Sequence, residues 1–273
     1  SALDVGVIVV VGGPQYRVGS HRQFVLLARA MARHGIACLR FDYRGMGDSS
    51  GGQRTFEDVD ADIACAVATL LAHVPSVRRV VLWGLCDGAS AALMAARAQP
   101  HLAGIVALNP WVRDQATLDR ALLKHYYGQR LLSAQFWRKA LSGGLDFRGA
   151  FGEFAARVRR RLSPKSTGDS AQRPSHFQER MRKGLERLPG PMLLILSGRD
   201  LTAREFESFT AGDRRWRSLI NDASRVRVRR LPAADHTFSD AASRAEVERH
   251  TIDFVLSIAG RSAAAPAPPE DPR

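Results

Sequence analysis

Val80-Val81-Leu82-Trp83-Gly84-Leu85-Cys86-Asp87-Gly88-Ala89-Ser90-Ala91-Ala92 is the stretch on which the fold turns. An apolar run rich in branched residues reads as a buried strand, and an alanine-rich run reads as a helix. Between them stands G-x-C-x-G. Small residues on both sides let the chain reverse sharply and leave the central side chain exposed above the sheet. A cysteine in that place sits at the N-terminus of a helix, where the macrodipole favours the thiolate, so Cys86 is the candidate nucleophile.

The rest of the chain repeats the alternation. Val5 to Val11 is an apolar run suited to burial on both faces. Phe24, Leu27, Ala28, Met31 and Ala32 recur at helical spacing and stop at His34-Gly35. Ile36 to Phe41 reads as a strand and Phe56 to Leu71 as a helix, opened by Thr55 with Asp58 three residues on as a capping pair. Arg79 to Trp83 and Ala103 to Leu108 are further strands, with the helix Ala89 to Arg97 between them. Strands separated by helices predict an α/β fold with a mostly parallel sheet flanked by helices. After Asn109-Pro110 the pattern lapses and returns only at Met192 to Leu196, followed by Val226 to Leu231 and a closing helix, Arg244 to Ile258. That gap exceeds a compact-domain loop. We therefore read residues 1-110 and 189-260 as the core, 111-188 as an inserted helical cap, and 261-273, rich in Ala and Pro, as a disordered tail. Within the insertion Leu118 to Trp137 reads as helix and Arg157 to Arg182 as a partly mobile basic run.

A nucleophile on such a turn needs an acid and then a histidine later in the chain. Asp200 follows the apolar run Leu193 to Leu196, and His236 follows Val226 to Leu231, so both fall beyond the carboxyl ends of strands, where open α/β sheets gather reactive groups. His236 is the expected base and Asp200 the group that orients it. Asp235 adjoins the histidine but would strain to reach its far nitrogen, and Asp114 lies in the insertion; Asp200 is preferred to both. Two backbone N–H groups are needed for the oxyanion. One is assigned to Asp87; the other comes from the turn Val11-Gly12-Gly13-Pro14-Gln15, where Pro14 has no N–H, which leaves Gly13 with Gln15 as the fallback. Cys38 falls in a strand and Cys65 in a helix, and both read as core thiols.

The 273 residues carry a formal charge of +13, with Lys124, Lys139, Lys165 and Lys183 the only lysines. Arginine is scattered through every segment and no nucleic-acid-binding module is legible, so the excess charge reads as solvated surface and nucleic acid is not expected; the run Arg157, Arg159, Arg160 and Arg161 in the insertion points to an anionic small-molecule or acyl substrate. There is no HExxH, Walker lysine or strand-linked GxGxxG, so neither metal nor nucleotide cofactor is expected. Three cysteines cannot all pair, and no run is long enough for a transmembrane segment, so the expectation is a cytoplasmic protein with free thiols. Oligomeric state is not legible.

These motifs resemble those of the α/β-hydrolase superfamily. Gly12-Gly13-Pro14 is similar to its HGGP turn, with Val11 where the histidine usually stands, and Asp42-Tyr43-Arg44-Gly45-Met46-Gly47-Asp48-Ser49 resembles its DxRGxGxS loop, which shapes the site mouth. The cysteine elbow is similar to those of dienelactone hydrolases and bile-acid-CoA:amino-acid N-acyltransferases. VGGPQYRVGSHRQ, FDYRGMGDS, WGLCDGAS and SGRDLTAREF together resemble the exosortase A system-associated hydrolases, type one, over Val5 to about Ile258 and least over Arg157 to Leu188. That likeness implies an α/β-hydrolase fold and a bacterial setting in exopolysaccharide and exosortase systems. Superfamily members usually carry an antiparallel hairpin ahead of the strand at Val5, so an upstream segment is expected. Three activities fit: hydrolysis of an ester or thioester, acyl transfer through the same acyl-cysteine, and a non-catalytic scaffold.

If Cys86 is the activated thiol, iodoacetamide should label it faster than Cys38 and Cys65, and labelling should slow in His236→Ala. Equal labelling of all three thiols in the native protein, indifferent to that substitution, would count against it.

Overall fold

The structure is a computed structural model that describes residues 3–13, 15–113 and 176–260. Six strands form one sheet: β1 (Val5–Val10), β2 (Cys38–Arg40), β3 (Arg79–Leu85), β4 (Leu102–Leu108), β5 (Met192–Ser197) and β6 (Val226–Leu231), in the order β2-β1-β3-β4-β5-β6. Every pairing is parallel. The helices are α1 (Gln23–Arg33), α2 (Asp60–His73), α3 (Asp87–Ala95), α4 (His176–Arg187), α5 (Leu201–Gly212), α6 (Arg214–Ile220) and α7 (Ala241–Ile258). This is the α/β fold expected, with helices on both sides of the sheet.

The strands explain themselves by alternation within continuous apolar runs. Ile8, Val10, Val80, Leu82, Ile105 and Leu194 face one layer, filled by residues of α2 to α6, among them Phe177, Met181, Phe206 and Trp216. Val7, Val9, Val81, Trp83, Val106 and Ile195 face the other, filled from α1 and α7. Each fully buried branched side chain contributes roughly 1.5–3 kcal/mol, which is why the interiors of the central strands are apolar. Trp83 is held on that second face by an edge-to-face contact with Phe24, ring centroids 5.5 Å apart, and by a 3.2 Å hydrogen bond to the Thr251 hydroxyl.

Several expectations need correction. Thr55 makes no side-chain cap: a single 3-10 turn, Phe56–Asp58, precedes α2, which starts at Asp60. The strand expected over Ile36 to Phe41 contracts to Cys38–Arg40, which pairs with β1 alone. Cys65 is exposed on α2 rather than buried, because the apolar face of that helix runs through Ile63, Ala66, Val67 and Leu70. Helices α5 and α6 were not expected, since charged residues interrupt their apolar spacing.

The cap boundary also moves. Residues 113–175 cluster as a separate unit, whereas His176–Arg187, expected as part of the cap and in part as mobile chain, is a helix of the core. It packs Gly184 onto α3 so closely that a Cβ there would lie 1.8 Å from the Leu93 carbonyl oxygen. Gln178, fully buried, donates from Nε2 to the Val112 carbonyl at 2.5 Å, tying the start of α4 to the last residue before the separate unit. The expected helix Leu118 to Trp137, the arginines at 157 and 159 to 161, and the 261–273 tail lie outside the described residues. Among the described residues no helix is long and apolar enough to cross a membrane.

Backbone contact at Gly184 gives a stability test. Gly184→Ala forces the helix pair apart and should cost about 1–3 kcal/mol, whereas Gly212→Ala, with open space at the Cβ, should be neutral or slightly stabilising. Thermal melts of the two variants against the wild type check the ranking.

Candidate active site

Cys86 is the single residue between β3 and α3, and its φ of 59° and ψ of −126° place it in a region that side-chain-bearing residues seldom adopt. Holding it there costs about 1–3 kcal/mol, which the surroundings must offset. They do so by gripping both ends of the peptide. The Cys86 N–H donates to Leu108 O at 2.9 Å, and its carbonyl accepts from Ala89, Ser90 and Trp111 at 3.1, 3.3 and 3.2 Å. The Ser90 hydroxyl, fully buried, donates to Trp111 O at 2.7 Å and closes the bracket.

His236 and Asp200 meet as their sequence positions imply. Asp200 caps α5, its carboxylate accepting from Thr202 and Ala203 N–H at 3.1 and 3.2 Å, and its Oδ2 lies 2.9 Å from His236 Nδ1. Burial pushes the Asp200 carboxyl up, but the hydrogen bond and charge of His236 and the two capping N–H groups outweigh it and hold the group below its ordinary value. His236 is pushed from 6.5 up to about 10, first by the hydrogen bond to Asp200 and then by one to the Cys86 side chain, against burial, which pulls it down. With Nδ1 on Asp200, it is Nε2 that serves the sulfur. The imidazole is therefore a charged partner to both neighbours at neutral pH.

The rival acids fall away differently. Asp235 turns from the imidazole to accept from Thr237 and Ser239 N–H at 3.1 and 3.0 Å and from the Ser239 hydroxyl. Asp114 lies outside the described residues. Other histidines make local contacts: His73 with Thr69 O, His101 with Arg78 O, and His250 with Glu246. The Cys38 thiol is pushed up to about 12 by burial, which makes it a poor nucleophile.

Two residues that sequence reasoning passed over hold the histidine loop. Asn109, fully buried with φ 43°, donates from Nδ2 to Ser197 Oγ at 2.8 Å and to the His236 carbonyl at 3.1 Å, while its Oδ1 accepts from Ser197 N–H at 2.9 Å. Ser197 Oγ then donates to Asp235 O at 2.8 Å. The ends of β4 and β5 thus grip the backbone of residues 235 and 236. Polar Asn109 and Ser197, each closing an apolar strand, were the available signal.

The turn after β1 presses on the elbow. A Cβ on Gly12 would lie 2.6 Å from Leu85 O and 2.7 Å from Gly88 N, and one on Gly88 would lie 2.5 Å from Val10 O. Gly13 follows in the left-handed region at φ 58°, beside Asp87. As the first residue of α3, Asp87 has an N–H without an acceptor one turn back. Gln15, the fallback donor, is half-buried with an unpartnered Oε1. The mouth is braced by Asp42, which accepts from Arg17 N–H at 2.6 Å and pairs with the Arg17 guanidinium; Arg17 also reaches Asp48 at 2.8 Å, and Arg44 forks onto Asp62 at 2.9 and 3.0 Å. Among the described residues no three His, Cys, Asp or Glu side chains gather as a metal site.

Comparison with known proteins bears on the fold and the family. The polyketide transferase grgF of a Penicillium species is 32% identical over 100 residues, so the match spans 34% of this chain and only 33% of that relative. The crystal structure of GrgF from Penicillium sp. sh18 superposes with a TM-score of 0.58 at 17% identity, covering 95% of this chain and 92% of that one. The Pyrococcus furiosus esterase Pf2001 superposes with a TM-score of 0.59 at 18% identity, covering 93% of this chain and 83% of that one. At such identities the superpositions speak for the fold alone. The sequence profile of the Alpha/beta hydrolase family matches residues 7–249, nearly the whole core and the insertion together, and the chain belongs to that family.

Proposed function

We propose that this protein hydrolyses an ester or thioester through an acyl-cysteine, with Cys86 as nucleophile, His236 as acid and base, and Asp200 as the group that orients His236. The observation that carries this reading is the chain of contacts from Asp200 to His236 to Cys86 at the apex of the β3–α3 turn. In the forward step the Cys86 sulfur bonds to the acyl carbon and the carbonyl electron pair moves to oxygen, which the Gly13 and Asp87 N–H groups receive. When that pair returns, the bond to the leaving group breaks and His236 supplies the proton from Nε2. Neutral His236 then takes a proton from water, whose oxygen attacks the acyl carbon and releases Cys86. A thiolate is itself a good leaving group, so esters and thioesters are favoured over unactivated amides.

Acyl transfer to an amine, hydroxyl or sugar is the second reading, favoured by the partial likeness to a polyketide transferase. The two differ in whether water reaches the acyl-cysteine, a matter for the cap over residues 113–175. The resemblance to exosortase-associated hydrolases supports a role in bacterial exopolysaccharide systems, and the basic run in the insertion supports an anionic acyl donor such as an acyl thioester of a phosphorylated carrier.

Two measurements test this reading. Incubation with a panel of thioesters and activated esters should add an acyl mass to the wild type by intact-protein mass spectrometry and none to Cys86→Ala; prompt loss in water marks a hydrolase, persistence until an amine or polyol is added marks a transferase, and an unmodified wild type overturns both. The His236 pair also has a stability signature. Because its pKa rises from 6.5 to about 10 on folding, its contribution is full below pH 6.5 and is lost as pH rises through 10. The Tm deficit of Asp200→Asn should therefore be large near pH 6.5 and shrink toward pH 10; a deficit that does not change with pH would mean that the pair carries no charge.

A further inference from the structure

The Asp87 carboxyl has no part in the chemistry described above, yet it lies against the turn that serves it. Instead of turning to solvent, the side chain folds back between the elbow and the turn after β1. Its Oδ1 is 2.3 Å from the point where a Cβ on Gly12 would sit, and its Oδ2 is 3.9 Å from the corresponding point on Gly13. Oδ1 is buried and closes no hydrogen bond. The N–H groups of Gly13, Gly88 and Asp87 itself draw on the carboxyl without satisfying that oxygen. Gly13 and Asp87 are the same two donors that the oxyanion requires.

A substrate oxygen arriving at these donors must share them with the carboxyl. Two oxygens on one N–H stand within hydrogen-bonding range of each other, and they repel unless a proton lies between them. An ionised Asp87 would also leave a charged oxygen buried without a donor, which is costly. Burial accordingly pushes the carboxyl above its ordinary value, against the neighbouring N–H groups and the charge of His236. The other titratable groups that face it are Cys86 on its own turn and Tyr43 from the loop after β2. The Tyr43 phenol, pushed up to about 12 above all by burial, stays neutral.

We propose that the Asp87 side chain is a catalytic residue, a carboxylic acid that lies between Gly12-Gly13 and the elbow and donates a third hydrogen bond to the oxyanion. The assignment rests on the acyl-cysteine reading above. As the sulfur–carbon bond forms and the carbonyl pair moves to oxygen, the Asp87 O–H bonds that oxygen; as the pair returns and the leaving group departs, the O–H is released with its proton still in place. His236 alone exchanges protons with the leaving group and water. Once Asp87 ionises, the same position sets a second negative charge against the intermediate, so acylation slows on the alkaline side.

The test is the burst of p-nitrophenolate release from p-nitrophenyl acetate, a leaving group that needs no proton and so removes the acid role of His236, followed from about pH 5 to 9. Asp87→Asn keeps a donor that does not titrate, and should acylate within about threefold of the wild type at its optimum while losing the alkaline decline; Asp87→Leu has no donor and should be about a hundredfold slower throughout. Asp87→Ser, with a shorter donor, should fall between them and stands in if the leucine variant does not melt as a folded protein. The proposal is overturned if Asp87→Leu stays within about threefold of the wild type, if Asp87→Asn is as slow as Asp87→Leu, or if Asp87→Asn keeps the alkaline decline. A wild type that gives no burst and no adduct on Cys86 overturns the acyl-cysteine reading itself, which the other outcomes leave standing.

Discussion

Backbone meets backbone where the turn after β1 touches the turn after β3, and no side chain larger than hydrogen fits at Gly12 or Gly88. This contact sets the distance between the strands' reactive ends. It brings the Gly13 and Gly88 N–H groups to the Asp87 carboxyl, which lies between the two turns. The parallel register of β1 with β3, Val10 opposite Gly84, is what delivers both turns to the same height. A one-residue slip would turn the valines of β1 to the opposite faces and separate the glycines at once.

The strain in this molecule is gathered at the same end of the sheet. The non-glycine residues with positive φ among those described are His21, Arg22, Cys86, Asn109 and Phe238, and each follows the carboxyl end of a strand. Such backbone persists only where neighbours over-determine it. Cys86 is held by Leu108 and Trp111, and Asn109 by Ser197 and the His236 carbonyl, so the end of β4 supports Cys86 on one side and the His236 loop on the other. The charge pattern follows the same logic: His236 is stabilised as a cation by Asp200 and Cys86, while Arg17 and Arg44 are tied to Asp42 and Asp62.

The parts of this architecture legible in the sequence are those set by local chemistry. Continuous apolar runs mark the strands at Val5, Arg79 and Met192, Val226 to Leu231 is marked instead by valine alternating with arginine, and the glycines around Cys86 mark the sharp turn. Asp200 and His236 stand out because each follows a strand. What escaped depends on tertiary neighbours. Asn109 and Ser197 look like ordinary strand-end residues until the fold brings β4, β5 and the loop after β6 together. Helix α4 carries charged residues on most of its surface and its place in the core is not legible locally, because the seat for Phe177, Met181 and Leu185 is made by other segments. At Cys65 the sequence pattern misleads by a single position, since 3.6-residue periodicity separates buried Ala66 from exposed Cys65 by one step.

The short bond from Gln178 to the Val112 carbonyl has a consequence for how this protein can change. The chain leaves the core at Val112 and re-enters it at His176, and that side chain fastens the two points together from inside the core. A graft whose ends already meet imposes little on its host: the closure entropy of the intervening loop grows by only about 0.6 kcal/mol for each doubling of its length. The length of chain between those two residues can therefore change at small entropic expense to the core that anchors its ends.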